Sequence, residues 1–441
     1  MTDMNGVSAE SNVDDKSSGS RASRKRRSIL VSAALVIVLG IAGFVAVDRS
    51  GDTSRQGTIA TGHYWKDVSV GQDHMLGIDQ SGHAWAWGEN DRGQLGDGTT
   101  TAHAGPVMVS GGHSFKSIEA GDEFSVGLDT GGKIWTWGGN YDHQLGEGAD
   151  LVYERLVPGE VARPSSRGPI TFPIPTYTQI SAGAHHVVAL DENGRAYAWG
   201  SNLSGEVGVG EMSISDVGVT GQCVSESDGV NAPMRVKDDA DLVVNMRFSV
   251  ISAGANFTVG ITKDTNSLFA WGSQIGTYLG LGTDYQTLDK VCQPRRVSKL
   301  TTDGNPDQNF TSVAAGEVGY MTRGASGSYF VSGPDTTSSK AKSTTHFSSY
   351  TTGKLIAGVM DNGKIQIAFG WHGDVVVPGG NSSFTKVRTY QLESSPNTTN
   401  FSDFQRFAAI DDKGRIWVFD ELVNENTMDD QVVLTQVPDP S

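Results

Sequence analysis

Two cysteines are the first residues whose chemistry could matter. Cys223 and Cys292 are the only cysteines in the chain. Two thiols alone cannot complete the four-ligand shell of a structural zinc ion, whereas a cysteine pair outside the cytoplasm commonly forms a disulfide. The sequence therefore predicts a Cys223–Cys292 disulfide that orders two inserted loops, with two unpaired thiols as the alternative.

Three histidines suggest a metal site at first sight. His74, His185 and His186 lie at the starts of apolar segments, but Phe124 and Phe257 occupy the matching places in related segments. A histidine at a strand end is more often packed or solvated than bound to a metal. We therefore expect no metal at these residues.

Catalytic patterns are missing from the sequence. It contains no Ser-His-Asp order, no carboxylate pair at a recognisable spacing and no glycine-rich phosphate loop. Recurring Asp-x-x-Gly turns lack the regular serine and glycine of the aspartate boxes of sialidases, and few arginines are available to hold a sugar carboxylate. The sequence predicts a binding protein with no catalytic residue, cofactor or small-molecule substrate; a glycan-cleaving enzyme is an alternative.

The sequence contains an internal repeat, and the repeated units must form the scaffold that carries any functional residues. Four segments align almost without gaps, as VSVGQDHMLGIDQSGHAWAWGENDRGQLGDG and IEAGDEFSVGLDTGGKIWTWGGNYDHQLGEG show. Their first residues are Val68, Ile118, Ile180 and Ile251. Three weaker copies begin at Val313, Tyr350 and Phe404. The expected count is seven copies.

Each copy is typical of a small antiparallel sheet. A glycine near its start permits close backbone approach, an Asp-x-x-Gly turn suits a hairpin, and a Trp-Gly pair ends the next strand. The large indole ring can fill the gap between neighbouring sheets. The predicted structural residues are Gly71, Gly121, Gly183, Gly254, Trp87, Gly88, Trp137, Gly138, Trp199, Gly200, Trp271 and Gly272. Sheets of this kind bury their faces by stacking in a ring, so the fold class is all-β.

The recurring order of Ala-Gly, Asp-x-x-Gly, Trp-Gly-x-Asn and Leu-Gly-x-Gly resembles the regulator of chromosome condensation repeat family. The resemblance runs from Trp65 to the C-terminus and is weaker over the last three copies. It implies a seven-bladed β-propeller over residues 62–441. Some secreted bacterial members inhibit β-lactamases, whereas the namesake activity is nucleotide exchange on a small GTPase at chromatin. That second activity is an alternative function here.

Ring closure has its own sequence signal. Segments ending in valine precede copies two to five, and each should form one strand of a blade. They start at Pro106, Pro158, Pro233 and Pro294. The first copy has no such segment before it, whereas Val432–Val437 is left over at the end. We expect Val432–Val437 to pair with the blade containing Val68–Gly88 and so to close the ring.

Long insertions separate the copies. They occupy Ala149–Thr176, Glu211–Arg247 and Thr283–Asn309. Because they follow equivalent elements, we expect all three on one face of the disc, and loops on a rigid scaffold often carry binding residues. This face is the predicted recognition surface for a protein or glycan at the cell surface. Tolerated insertions without a partner are the alternative.

The N-terminal region predicts a membrane anchor. Residues 28–47 form an uncharged apolar run long enough for a transmembrane helix, and Arg24, Lys25, Arg26 and Arg27 precede it. The positive-inside rule puts the disordered tail 1–27 in the cytoplasm and the linker 48–61 and propeller outside, as a single-pass protein of the cell membrane. A cleaved signal peptide is the alternative. The formal net charge of −16 argues against nucleic acid as a partner.

Overall fold

The computed structural model describes residues 65–148, 152–164, 174–215, 218–224, 229–237, 245–274, 279–281, 288–298, 309–316, 319–325, 329–332, 340–341, 347–352, 356–360, 365–369, 373–376, 384–391, 405–421 and 435–437. All of these belong to one compact unit, Gln56–Ser441. The predicted tail, apolar segment and linker, residues 1–61, lie outside the described residues. Within the described ranges, no helix is long and apolar enough to cross a membrane.

The described strands form seven four-stranded antiparallel sheets, here called blades 1 to 7 in chain order. Blade 1 contains β1 (Trp65–Val70), β2 (His74–Asp79), β3 (Ala84–Gly88) and β4 (His103–Met108). Blade 2 contains β5 (Phe115–Ala120), β6 (Phe124–Asp129), β7 (Ile134–Gly139) and β8 (Glu154–Glu160). Blade 3 begins with β9 (Tyr177–Ala182), β10 (His186–Asp191) and β11 (Ala196–Ser201). A separate hairpin of β12 (Glu211–Ser215) and β13 (Gly218–Val224) then precedes its fourth strand, β14 (Gly229–Arg235).

The remaining blades repeat the same order. Blade 4 contains β15 (Phe248–Ala253), β16 (Phe257–Thr262), β17 (Leu268–Ser273) and β18 (Lys290–Arg296). Blade 5 contains β19 (Phe310–Ala315), β20 (Tyr320–Gly324), β21 (Tyr329–Ser332) and β22 (Lys340–Ala341). Blade 6 contains β23 (Phe347–Thr352), β24 (Ile356–Met360), β25 (Ile365–Phe369) and β26 (Gly373–Val376). Blade 7 contains β27 (Phe384–Gln391), β28 (Gln405–Asp411), β29 (Ile416–Glu421) and β30 (Thr435–Gln436).

The first strands of the blades form a closed inner ring. Each contacts the first strand of the next blade, and β27 of blade 7 contacts β1 of blade 1. The amide of Trp65 donates to the carbonyl of Gly414 across this last seam at 2.7 Å. The equivalent bonds at other seams are Phe115 N to Gly82 O, Tyr177 N to Gly132 O, Phe248 N to Gly194 O and Phe310 N to Asn266 O. The prediction of an all-β propeller is confirmed.

The predicted strand exchange at the closing seam is wrong. β30 pairs with β29 of its own blade, Trp417 facing Gln436, and β4 already completes blade 1. The reason is that each valine-ended segment pairs with the Trp-Gly strand before it, so it is the outer strand of the preceding copy. Blades 1 and 7 are joined instead by the Trp65–Gly414 hydrogen bond and by an apolar cluster. That cluster includes Trp65, Trp87, Ala408, Ile410, Ile416 and Val437.

The topology also corrects the expectation for the long insertions. In an antiparallel meander, successive connections lie at opposite ends of the strands. We call the end with the loops between third and fourth strands the upper face, and the end with the Asp-x-x-Gly turns and the connections between blades the lower face. The outer strands β8, β14 and β18 lie inside the three predicted insertions, so each insertion contributes to both faces.

Predicted glycines lie where neighbouring blades meet. A side chain at Gly71 would collide with the carbonyl oxygen of Gly121, and Gly183 has the same relation to Gly254. Gly254 in turn faces the carbonyl of Gly316, while a side chain at Gly121 would enter the ring of Phe124. The glycines of the Trp-Gly pairs serve a different need. Gly88, Gly138, Gly200 and Gly272 have φ between +99° and +112°, a region that side chains disfavour.

The tryptophans of these pairs lie between blades. Trp137, Trp199 and Trp271 are fully buried. Their indole N–H groups donate across a seam to the carbonyls of Gln94, Gln144 and Glu206 at 2.9, 3.0 and 2.9 Å. Trp87 packs at the closing seam, with its ring centroid 5.9 Å from that of Trp65. The indole therefore both fills the gap and satisfies a buried carbonyl of the preceding blade.

Candidate functional site

Large apolar side chains are exposed together on the upper face. Tyr141 and Tyr153 are 54% and 69% exposed, and their ring centroids lie 6.4 Å apart. Val152 and Leu203 are exposed as well. We call Arg92, Tyr141, Val152, Tyr153 and Leu203 the aromatic patch. Exposed apolar clusters on folded proteins often mark binding sites because their burial lowers the free energy.

Asn140, from the Trp-Gly-x-Asn signature, holds two parts of the patch together. Its side-chain amide donates to the carbonyl of Val152 at 2.6 Å, and its backbone amide donates to the carbonyl of Tyr153 at 2.8 Å. Its side-chain oxygen accepts the amide of Leu145 at 2.9 Å. The two tyrosines thus stand on backbone that is already ordered, which lowers the entropy cost of binding.

Arg92 joins the patch from the neighbouring blade. Its guanidinium lies 4.9 Å from the ring centroid of Tyr141 and donates to the tyrosine hydroxyl at 2.8 Å. Its Nε is 3.7 Å from a carboxylate oxygen of Glu123. These contacts fix the orientation of Tyr141 and leave its ring partly accessible.

His185 connects blade 3 to the Tyr141 loop. Its Nε2 lies 3.2 Å from Asp122 and its Nδ1 lies 3.5 Å from Asp142. This histidine therefore bridges two carboxylates of blade 2 beside the patch. Among the described residues, no group of three or more His, Cys, Asp or Glu is placed to hold a metal ion.

The other two histidines are buried between blades. His74 Nε2 is 2.8 Å from the hydroxyl of Ser125, and His186 Nε2 is 3.0 Å from that of Thr258. Burial lowers the pKa of His186 to about 3, so this ring is neutral at physiological pH. Both histidines have a packing role at a seam.

The two cysteines lie on neighbouring elements. Cys223 is on β13 of the extra hairpin, and Cys292 is a fully buried residue of β18. β13 contacts β18, so the hairpin of blade 3 lies against the outer strand of blade 4. Gln293 also donates to the carbonyl of Gly210 at 2.9 Å, which fixes the base of the hairpin. The Cys223–Cys292 disulfide stays a prediction.

Glu206 is a buried carboxylate at a position where other repeats carry glutamine. It aligns with Gln94 and Gln144 and is 1% exposed. The hydroxyl of Ser201 and the amide of Ser204 donate to its two oxygens at 2.8 and 2.7 Å. Burial nevertheless raises the pKa of Glu206 above its ordinary value of 4.5, because the ionised form loses its hydration.

Replacing Glu206 with glutamine is expected to stabilise the protein by about 1 kcal/mol at pH 7. A raised folded-state pKa means that the protonated group favours folding, and that this contribution is lost as pH rises through the folded-state pKa. The gain should therefore disappear below the unfolded-state pKa, near 4.5. Urea denaturation at pH 7 and pH 4 measures both values. A Glu206→Gln variant less stable than the parent at pH 7 would contradict this explanation.

Sequence reasoning missed the aromatic patch. Tyr141 and Leu203 both directly follow the repeated asparagine, where blade 1 has Asp91. That register places Tyr141 and Leu203 at equivalent positions of adjacent blades, and it could have indicated an apolar pair on the upper face. Tyr153 and Arg92 have no such signal, because only the folded loops bring them beside Tyr141.

Comparisons with known proteins agree with this architecture. The family model of the regulator of chromosome condensation (RCC1) repeat matches residues 65–94, 115–144 and 177–206, and a second model of the same repeat matches 81–128 and 131–190. Residues 65–206 therefore match the RCC1 repeat, and the fold is an all-β propeller of four-stranded sheets. The matched ranges cover β1 to β11, which contain three of the four well-preserved copies.

Two solved structures share the RCC1-like fold. The yeast RCC1 protein Prp20, determined bound to Kap60, aligns with a TM-score of 0.57 and 19% identity over 74% of this chain and 78% of that chain. Prp20p from Saccharomyces cerevisiae, determined separately, gives a TM-score of 0.57 at 20% identity, covering 74% and 80%. At this identity the likeness shows the fold alone.

Curated relatives match this chain over about half of its length. The ultraviolet-B receptor UVR8 of Arabidopsis thaliana is 29% identical over 56% of this chain and 49% of its own length. A Dictyostelium discoideum bifunctional serine/threonine-protein kinase/NEDD4-like E3 ubiquitin-protein ligase is 26% identical over 52% of this chain and 9% of its own length. The chain thus spans about half or less of these relatives.

Proposed function

We propose that this chain is a membrane-tethered, extracytoplasmic propeller that binds a protein or glycan at the cell surface through its upper face, without catalysis. The observation that carries the proposal is the aromatic patch, exposed on loops that hydrogen bonds already order. Tyrosine and arginine are over-represented among residues that dominate binding energy. The patch contains two tyrosines and an arginine from adjacent blades.

Export of the propeller is supported by the N-terminal sequence. The apolar run 28–47 follows the basic residues 24–27, which favours an external C-terminal domain. The structure report on Prp20p names Gsp1p and histones as what that protein binds. An exported chain would meet neither a small GTPase nor histones, because both are inside the cell. The location of the propeller, outside or inside the cell, therefore distinguishes the proposed function from nucleotide exchange on a small GTPase at chromatin.

A photo-crosslinking amino acid at Tyr153 is expected to trap a partner on intact cells. Val157 is the matched control, because it is also exposed, at 43% against 69%, and lies in the same blade on β8. The Tyr153 adduct should be a discrete species that is absent from the Val157 sample. Protease added to unbroken cells should digest it, because the propeller is external.

Two results would overturn the proposal. Adducts of equal yield from Tyr153 and Val157 would show that the upper face has no special role. Complete protection of the propeller from external protease would place it inside the cell and favour the GTPase alternative.

A further inference from the structure

The aromatic patch has a chemistry that selects among partners. We propose that the aromatic patch binds a protein segment in which an apolar side chain is flanked by lysine or arginine. This inference rests on the proposed function. The apolar side chain contacts Tyr141, Tyr153 and Leu203, and the cations face the acidic residues around them.

The apolar centre extends over two blades. Tyr141 and Leu203 occupy the same repeat position, so they stand at the same end of adjacent blades. His185, between β9 and β10 of blade 3, contacts Asp142, the residue after Tyr141, and its carbonyl accepts the amide of Ser201, two residues before Leu203, at 2.9 Å. An inserted apolar side chain would contact groups that already hold their bound arrangement.

The surroundings of the patch are acidic. Glu89, Asp91 and Glu154 are exposed on the same end of blades 1 and 2, and Asp142 is 39% exposed. Of the cations nearby, Arg92 lies 3.7 Å from Glu123 and Arg155 lies 2.6 Å from Glu147, whereas Lys290 of blade 4 donates to the carbonyl of Leu203 at 3.4 Å. The exposed carboxylates therefore make the field negative around Tyr141 and Tyr153, where it attracts and orients a basic segment.

Other occupants fit the patch less well. A nucleic acid or an anionic membrane surface would be repelled by the same carboxylates. A sugar ring stacks best on a flat, open aromatic face, whereas the two tyrosine rings are inclined by 45° and Arg92 covers one of them. Apolar contact with flanking cations is the chemistry that this geometry favours.

The test uses the full chain in nanodiscs of neutral lipid, with empty nanodiscs as the blank. Four fluorescent Gly-Ser peptides of equal length are the probes. One carries a central leucine flanked by lysines, and the others replace the leucine with serine, the lysines with glutamates, or both. We expect the Lys-Leu peptide to bind at least about tenfold more tightly than any other, with affinity falling as salt rises.

Paired variants assign the binding to the patch. Tyr141→Ser with Tyr153→Ser should weaken binding of the Lys-Leu peptide about tenfold or more, whereas Met108→Ser with Val157→Ser, at exposed residues of β4 and β8, should leave it unchanged. No binding up to about 1 mM, tighter binding of the glutamate peptide, or indifference to the tyrosine variant would overturn the inference. If the Tyr153 adduct still forms on cells, the proposed function survives that failure, and a glycan adduct would identify the other class of partner.

Discussion

Replacing Trp137 with alanine is expected to lower the free energy of unfolding by about 4 kcal/mol, or to prevent folding. The indole is fully buried between blades 1 and 2, in an apolar cluster with Leu76, Leu95 and Phe115. Its removal would leave a cavity and would remove one of two hydrogen bonds to the carbonyl of Gln94, which accepts the indole N–H at 2.9 Å and the hydroxyl of Ser125 at 2.8 Å. Urea denaturation measures the loss.

Trp135 provides the control on the same strand. It is only partly buried, and its indole donates to Asp129 of its own blade at 2.9 Å, beside the ring of His113. Trp135→Ala should cost only about 1 to 2 kcal/mol, because this side chain is partly exposed and packs at the edge of the cluster that Trp137 fills. Equal losses for the two variants would show that burial of Trp137 between the blades gives no additional stability.

The repeat itself could be predicted from the sequence, because its signature residues are those that contacts between blades require. Gly183 must lack a side chain where it meets the carbonyl of Gly254, and Trp199 must fill a seam while donating to Gln144. These requirements recur in every well-preserved blade, so they leave a period in the sequence. In blade 5 the repeat signature is less well preserved. The hydroxyl of Tyr320 nevertheless donates to the carbonyl of Leu279 of blade 4 at 3.0 Å, a bond between blades like those of the indoles.

The assignment of outer strands could not be predicted in the same way. A segment such as that around Val107 is equally near the strand before it and the copy after it in sequence. Only the pairing of Ala86 with Val107 shows that it belongs to the preceding blade. This single ambiguity explains both the wrong closing strand and the expectation that the insertions share one face.

The aromatic patch escaped prediction for the opposite reason, because it lies where the repeats differ. Tyr141, Leu203 and Asp91 occupy the same position of the repeat, but their side chains differ in chemistry. Tyr153 reaches Tyr141 only because Asn140 binds both loop segments. A binding surface assembled from variable positions leaves no period, so it becomes visible only after folding.

The upper and lower faces both depend on closure of the ring. Hydrogen exchange of the Trp65 amide reports this closure directly. In the closed ring this amide donates to Gly414 of blade 7 at 2.7 Å, as Phe115 donates to Gly82 and Tyr177 to Gly132 at 2.8 Å. In an open arrangement Trp65 would begin an unpaired edge, while Phe115 and Tyr177 would keep their bonds.

Hydrogen exchange of these three amides in the native protein therefore tests the account. A closed ring predicts that Trp65 exchanges at least about a thousandfold more slowly than an unprotected amide, close to Phe115 and Tyr177. Rapid exchange at Trp65 with slow exchange at the other two would show that blades 1 and 7 do not meet, and would contradict the closed propeller.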